Sequence, residues 1–156
     1  MHKVLFICTH NSARSQIAEA YLRQLAGDRF QVESAGFDPH EINPEVIMVL
    51  QEEGIDISEK SSQKVFDLFR QGRIFDYVIT VCDLEEGQCP IFPGMTHRLH
   101  LPFPDPSVIT GNREERLAAV RPIRDRIRQS IEEFIAWVDS GERVPLGQSW
   151  EFHEVR

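Results

Sequence analysis

Apolar positions along the chain follow two rhythms. "KVLFIC" at residues 3–8 is an almost unbroken apolar run, the pattern of a strand buried on both faces. The segment after it, "SQIAEAYLRQLAG", sets Ile17, Ala20, Tyr21 and Leu25 at helical spacing and stops at Gly27. "FQVESAG" reads as a second strand. In "NPEVIMVLQEEG", Asn43 is suited to cap a helix, Pro44 to take its first position and Gly54 to end it. "SSQKVFDLFRQG" is amphipathic and predicts a further helix, "DYVITVC" is a strand rich in β-branched residues that ends on Cys82, and "HRLHLPF" offers one more strand. From Asn112 to Ser140, Leu117, Val120, Ile123, Ile127, Ile131, Phe134, Ile135 and Val138 form a helix stripe that Pro122 should kink or divide.

Strands alternating with helices predict an α/β fold with a mainly parallel sheet covered on both faces, and a ligand site beyond the carboxyl ends of the strands. Cys8 and Cys82 both fall at such ends. The expected organisation is one domain over residues 1–140, followed by an irregular tail over 141–156, "GERVPLGQSWEFHEVR" being the stretch without a pattern.

At 156 residues the chain suits a single core. No apolar run approaches the roughly 20 residues that span a bilayer. The first residues pass straight into a strand with no secretory pattern, so a cytoplasmic protein is expected. Three cysteines cannot all pair, and a reducing compartment favours reactive or buried thiols over a disulfide framework. The formal net charge of −8 argues against nonspecific nucleic-acid binding but leaves room for a locally positive anion site. The six histidines show no metal-ligand spacing, so they read as solvated or packed and no metal is expected.

The candidate chemistry lies in "CTHNSARS", residues 8–15, between the first strand and the first helix. Cys8, five intervening residues, then Arg14 and Ser15 would let the backbone N–H groups of Thr9, His10, Asn11, Ser12, Ala13, Arg14 and Ser15 curl around an oxyanion at a helix N-terminus. The same field favours Cys8 as a thiolate nucleophile. Arg14 presents a planar fork for two oxygens, and Ser15 is placed to donate to the Cys8 sulfur. Asn11 tolerates left-handed backbone and is suited to support the loop, in reach of Ser34.

These residues resemble the active-site loop shared by low-molecular-weight protein tyrosine phosphatases and thioredoxin-coupled arsenate reductases. "ESAG" at 33–36, the helix after it, "VITVC" and the late "DP" pair occur in the same order as in those families. His10 stands where a small residue is common, and Ala13 where a second cysteine is frequent. The resemblance implies a three-layer sandwich around a four-stranded, mainly parallel sheet, and a low-molecular-weight phosphatase-like catalytic domain over residues 1–140.

Cys82 and Cys89, separated by six residues, fit neither a C-x-x-C redox motif nor a zinc site, and alone would be incidental. In the reductases that the chain resembles, the first cysteine attacks arsenic and the residue matching Cys82 then attacks the adduct, expelling arsenite. The residue matching Cys89 moves the disulfide outward to Cys82–Cys89 for reduction by thioredoxin. That reading needs no bound cofactor and takes its electrons from thioredoxin. The alternative is a phosphatase that hydrolyses phosphomonoesters through a phosphocysteine, which water resolves without the downstream pair. Asp105 in "FPDPS" matches the late general acid of both families, although Ser107 stands where the phosphatases usually carry tyrosine. Asp38 in "FDPH" is the competing Asp-Pro and reads as a turn former. Asn11, Glu19 and Ser34 match three positions of an alkali-cation site found in some arsenate reductases, but Gln63 falls where a carboxylate is expected. Arsenate or phosphate and thioredoxin are thus the expected partners, with no nucleic acid or membrane, of a monomeric protein.

Overall fold

The computed structural model describes residues 1–82, 95–147 and 150–153. Strand β1 (His2–Cys8) leads into helix α1 (Arg14–Ala26), then β2 (Phe30–Gly36), α2 (Pro44–Gln51), α3 (Val65–Arg70), β3 (Phe75–Thr80), β4 (Met95–His100), a short 3-10 turn (Pro106–Val108), α4 (Arg113–Asp139) and β5 (Glu151–His153). The sheet order is β2-β1-β3-β4-β5. The first four strands in that order are parallel, and β5 adds antiparallel to β4. The four-stranded parallel sheet is the one that the alternating pattern predicts.

β1 explains why an unbroken apolar run was needed. Val4, Phe6 and Cys8 enter the large core shared with α1, α2 and α4, while Leu5 and Ile7 enter a smaller core on the opposite face with Val65, Leu68, Phe75 and Val78. Successive side chains of a strand point to opposite faces, so a central strand covered on both sides has no polar positions to spare. β1 pairs β2 on one flank and β3 on the other, which makes their boundary the point where the strand order reverses. The crevice at the carboxyl ends of β1 and β3 is where such a sheet binds ligands.

α2 carries its expected cap: the Asn43 side chain accepts from the N–H groups of Glu45 at 2.9 Å and Val46 at 3.4 Å. α3 is shorter than its amphipathic segment, starting only at Val65, because Gly36 N–H bonds the Gln63 carbonyl and holds the preceding residues extended against β2. α4 runs unbroken through Pro122, where division was expected. Pro122 and Ala118, whose carbonyl loses its partner, both lie on the exposed side, so water can replace the missing bond while the buried stripe stays continuous. A reciprocal cap between Asn112 and Glu115 starts the helix.

The segment expected to be irregular ends in β5, which pairs Leu99 of β4 with Phe152, and the Trp150 ring stacks on Phe134 with centroids 5.8 Å apart. One buried tryptophan thus closes the end of the α4 core, a contact that no local periodicity announces. Among the described residues, no helix is long and apolar enough to cross a membrane.

Candidate functional site

After Cys8 the chain turns sharply. Asn11 has φ 51°, in the left-handed region open to its residue type, and its N–H donates to Cys8 Sγ at 3.1 Å. The turn presses on β2: a Cβ placed on Gly36 would stand 2.7 Å from Asn11 N and 2.8 Å from the His10 carbonyl carbon. Gly36 is the last residue of "ESAG", and this contact gives that glycine its job. Gly36→Ala must therefore move backbone, not a flexible side-chain end. We expect it to cost about 1–3 kcal/mol in urea unfolding, the range for overpacked sites, and to lower turnover by displacing the loop. Unchanged stability and turnover would show that the loop does not need this approach.

Asn11 is fully buried and every polar atom of its side chain is spoken for. Its Oδ1 accepts from Gln63 N–H at 3.0 Å, and its Nδ2 donates to Ser15 Oγ at 2.8 Å and Ser34 Oγ at 2.9 Å. Its carbonyl accepts from Gln16 Nε2 and Ser62 Oγ, both at 3.1 Å. The amide fixes the direction of the hydroxyls. Ser34, having accepted from Asn11, sends its hydrogen to Glu19 Oε1 at 2.8 Å. Ser15, having accepted likewise, directs its own hydrogen to Cys8 Sγ at 2.9 Å. An N–H and an O–H thus converge on the sulfur. Glu19, buried at the far end of this chain, is neutralised by Lys60 Nζ at 2.7 Å and Arg23 Nη2 at 3.3 Å. A lone buried carboxylate would be costly, and two cations of the chain itself compensate it here.

Arg14 opens α1 and is only 2% exposed. Its Nη1 donates to the Phe103 carbonyl at 3.0 Å and its Nη2 lies 3.9 Å from Asp105 Oδ2. Asp105 precedes the 3-10 turn, and its Oδ1 accepts from both the N–H of Ser107 at 2.9 Å and its hydroxyl at 2.8 Å. Ser107 thereby turns the other carboxylate oxygen toward Arg14. The fold brings residues 14 and 105 together from opposite ends of the alternating pattern.

Cys82 follows β3 and is 2% exposed, as is Cys8. The β1–β3 register pairs Ile7 with Thr80, and Val81 N–H bonds the Ile7 carbonyl at 2.9 Å, so Cys82 comes just beyond the residue flanking Cys8. Cys89 lies outside the described residues. Thr9 and His10 are tied to the segment after β2: Asp38 N–H bonds the Thr9 carbonyl and His40 N–H the His10 carbonyl, both at 2.9 Å. Ser12 and Ala13 complete the loop, buried.

Sequence reasoning missed several members of this site. Lys60 and Ser62 sit in a polar stretch with no periodicity, and nothing local distinguishes them from a solvated loop; Gln63 was noted only for a cation position, not for its bond to Asn11. Phe103 acts through its carbonyl, which any residue type supplies. Gly36 was visible as part of a motif, and a glycine closing a strand beside a tight loop is the one signal that pointed to close backbone approach.

Comparison with known proteins places this geometry among relatives. Residues 3–143 match the family model described as low molecular weight phosphotyrosine protein phosphatase. An arsenate reductase of Halalkalibacterium halodurans is 38% identical over 131 residues, covering 84% of this chain and 93% of that protein. The solved structure of an arsenate reductase in its phosphate-binding state superposes with a TM-score of 0.69 at 26% identity, over 87% of this chain and 98% of the other. A thioredoxin-dependent arsenate reductase of Corynebacterium glutamicum gives a TM-score of 0.55 at 34% identity, over 85% of this chain and 62% of that one.

Proposed function

Because the chain belongs to the low molecular weight phosphotyrosine protein phosphatase family, we propose that it uses that family's loop for redox chemistry, as a cytoplasmic arsenate reductase. The observation that carries this reading is the position of Cys82, buried at the end of the strand next to the one that ends on Cys8. Cys82 is one residue out of register with Cys8, and a strand spacing of about 4.8 Å with a rise of about 3.3 Å per residue gives a diagonal of roughly 5.8 Å, within the roughly 4.4–6.8 Å between Cα atoms that a disulfide requires. A phosphatase has no use for a second sulfur there. The arsenate reductase names of the relatives support the same choice.

In the proposed sequence the loop amides and Arg14 hold arsenate while the Cys8 thiolate attacks arsenic. One oxygen leaves as water, with a proton from Asp105, and a Cys8–arsenic bond remains. The Cys82 thiolate then attacks the Cys8 sulfur. The new S–S bond forms as the S–As bond breaks, its electron pair stays on arsenic, and arsenite departs. Two thiolates have supplied the two electrons that take arsenic from +5 to +3. Cys89 next attacks Cys82, returning Cys8 to the thiolate and leaving a Cys82–Cys89 disulfide for a dithiol of the thioredoxin type. Asn11, Ser15 and Ser34 position the nucleophile throughout, by the hydrogen-bond directions already derived.

Disulfide mapping by mass spectrometry after one equivalent of arsenate, with no external reductant, tests this reading. The expected product is a Cys82–Cys89 peptide pair together with one equivalent of arsenite. Three intact thiols after exposure, with no arsenite formed, would overturn it.

A further inference from the structure

The spacing of the histidines along the chain carries no metal signature, yet the fold brings two of them to one carboxylate. The loop residue His10 stacks on His40 with ring centroids 3.9 Å apart and planes 20° apart. His40 Nε2 lies 3.1 Å from Asp38 Oδ2, and His10 Nδ1 lies 3.9 Å from the same oxygen. One donor atom from each of the three residues falls within 4.8 Å of the others. The backbone beneath them is fixed: two hydrogen bonds pair residues 9 and 10 with 38 and 40, and the Ser62 hydroxyl shares its one hydrogen between the His40 and Asn11 carbonyls. Two segments remote in sequence therefore present their side chains on a rigid frame at the rim of the Cys8 loop.

We propose that His10, Asp38 and His40 form a binding site for a divalent transition metal ion of the zinc type. Zinc bonds imidazole nitrogen at about 2.0–2.1 Å and carboxylate oxygen at about 2.0–2.2 Å, so the edges of its tetrahedron are roughly 3.3–3.5 Å. The two nitrogen–oxygen separations, 3.1 and 3.9 Å, bracket that value. Two imidazoles and one carboxylate are the donor set of three-ligand zinc sites, whose fourth position takes water or an anion. The stacked rings must splay for both nitrogens to face one ion, and His40, its side chain 55% exposed, has room to turn. The His10 Nδ1 contact with the Asp38 carbonyl, at 3.0 Å, would exchange for the ion. The site stands whichever reaction the neighbouring loop performs.

The test is titration of the reduced full-length protein with zinc sulfate, followed by calorimetry and by the imidazole resonances of histidine-labelled protein. The expected result is one zinc per chain, with the His10 and His40 signals moving together. His40→Ala and Asp38→Asn, both surface changes, should each weaken binding at least ~tenfold, while Cys8→Ser keeps it. Unmoved His10 and His40 signals, parental affinity in both surface variants, or loss of binding in Cys8→Ser alone, which would place the zinc on the thiolate, would each overturn the proposal.

Discussion

Cys82→Ser is expected to stop arsenate reduction outright while leaving aryl-phosphate hydrolysis largely intact, because serine nearly matches the buried thiol in size and water, not Cys82, resolves a phosphocysteine. The reason is electron count. Reduction of arsenate takes two electrons, each thiolate of a new disulfide contributes one, and a serine oxygen at position 82 contributes none. No better placement of the substrate compensates for a missing reductant, so the loss should reach the uncatalysed background. Cys8→Ser should abolish both reactions, by about 10⁴-fold or more, since it removes the nucleophile common to them. Cys89→Ser should release a single arsenite per chain and stall at the Cys8–Cys82 disulfide. Arsenite release and p-nitrophenol release, measured on the same protein samples, separate the reductase from the phosphatase. Steady-state arsenite formation by Cys82→Ser at the parental rate would defeat the relay, and rapid aryl-phosphate turnover by the parent with no arsenite would make the phosphatase the better reading.

Arg14→Lys is the second large effect expected. The guanidinium is buried and already held by the Phe103 carbonyl and the Asp105 carboxylate, which aims its planar edge. A lysine ammonium is a point charge: it can keep the Phe103 contact or reach an oxyanion, but it cannot present two parallel N–H groups. Loss of one aimed oxyanion donor typically lowers turnover by about 10²–10³-fold, and a comparable loss in kcat/KM is expected here. Calorimetry with inorganic phosphate provides a readout free of turnover, and affinity should drop in parallel. Turnover and phosphate affinity both within tenfold of the parent would mean that the loop amides hold the anion without the fork.

The same contacts explain what Ser107 does. It stands where an aromatic residue is usual in the phosphatases, and it spends both its N–H and its hydroxyl on Asp105 Oδ1. Asp105 is thereby oriented by a residue too small to grip an aryl group. This geometry suits an inorganic oxyanion and is consistent with the reading proposed above.

Much of the architecture was legible in the chain because its signals are local. A strand buried on both faces must be apolar at every position, a surface helix must repeat its apolar stripe, and Asn43 and Asn112 mark helix starts through the residues that immediately follow them. The loop at 8–15 was legible for the same reason: its cysteine, arginine and serine are neighbours in sequence, and the strand and helix on either side fix how they face one another. Where expectation and structure diverged, the deciding contact was remote. Pro122 did not divide α4 because the broken bond faces water while the stripe beneath it stays packed. The tail acquired β5 and seated Trp150 because β4 had an edge to pair and Phe134 a ring to cover.

By itself, then, the sequence determined the order of elements, the parallel sheet and the loop that carries Cys8, Arg14 and Ser15. Each of these follows from backbone preference and side-chain periodicity within a few residues. Only the tertiary structure decided that Asp105 meets Arg14, that Gly36 admits the loop, that Lys60 and Arg23 neutralise Glu19, that His10 joins His40, and that Cys82 comes up beside the Cys8 strand. Those meetings arise when apolar faces far apart in the chain are buried together, and the polar side chains they carry are brought into contact by packing that no single segment encodes.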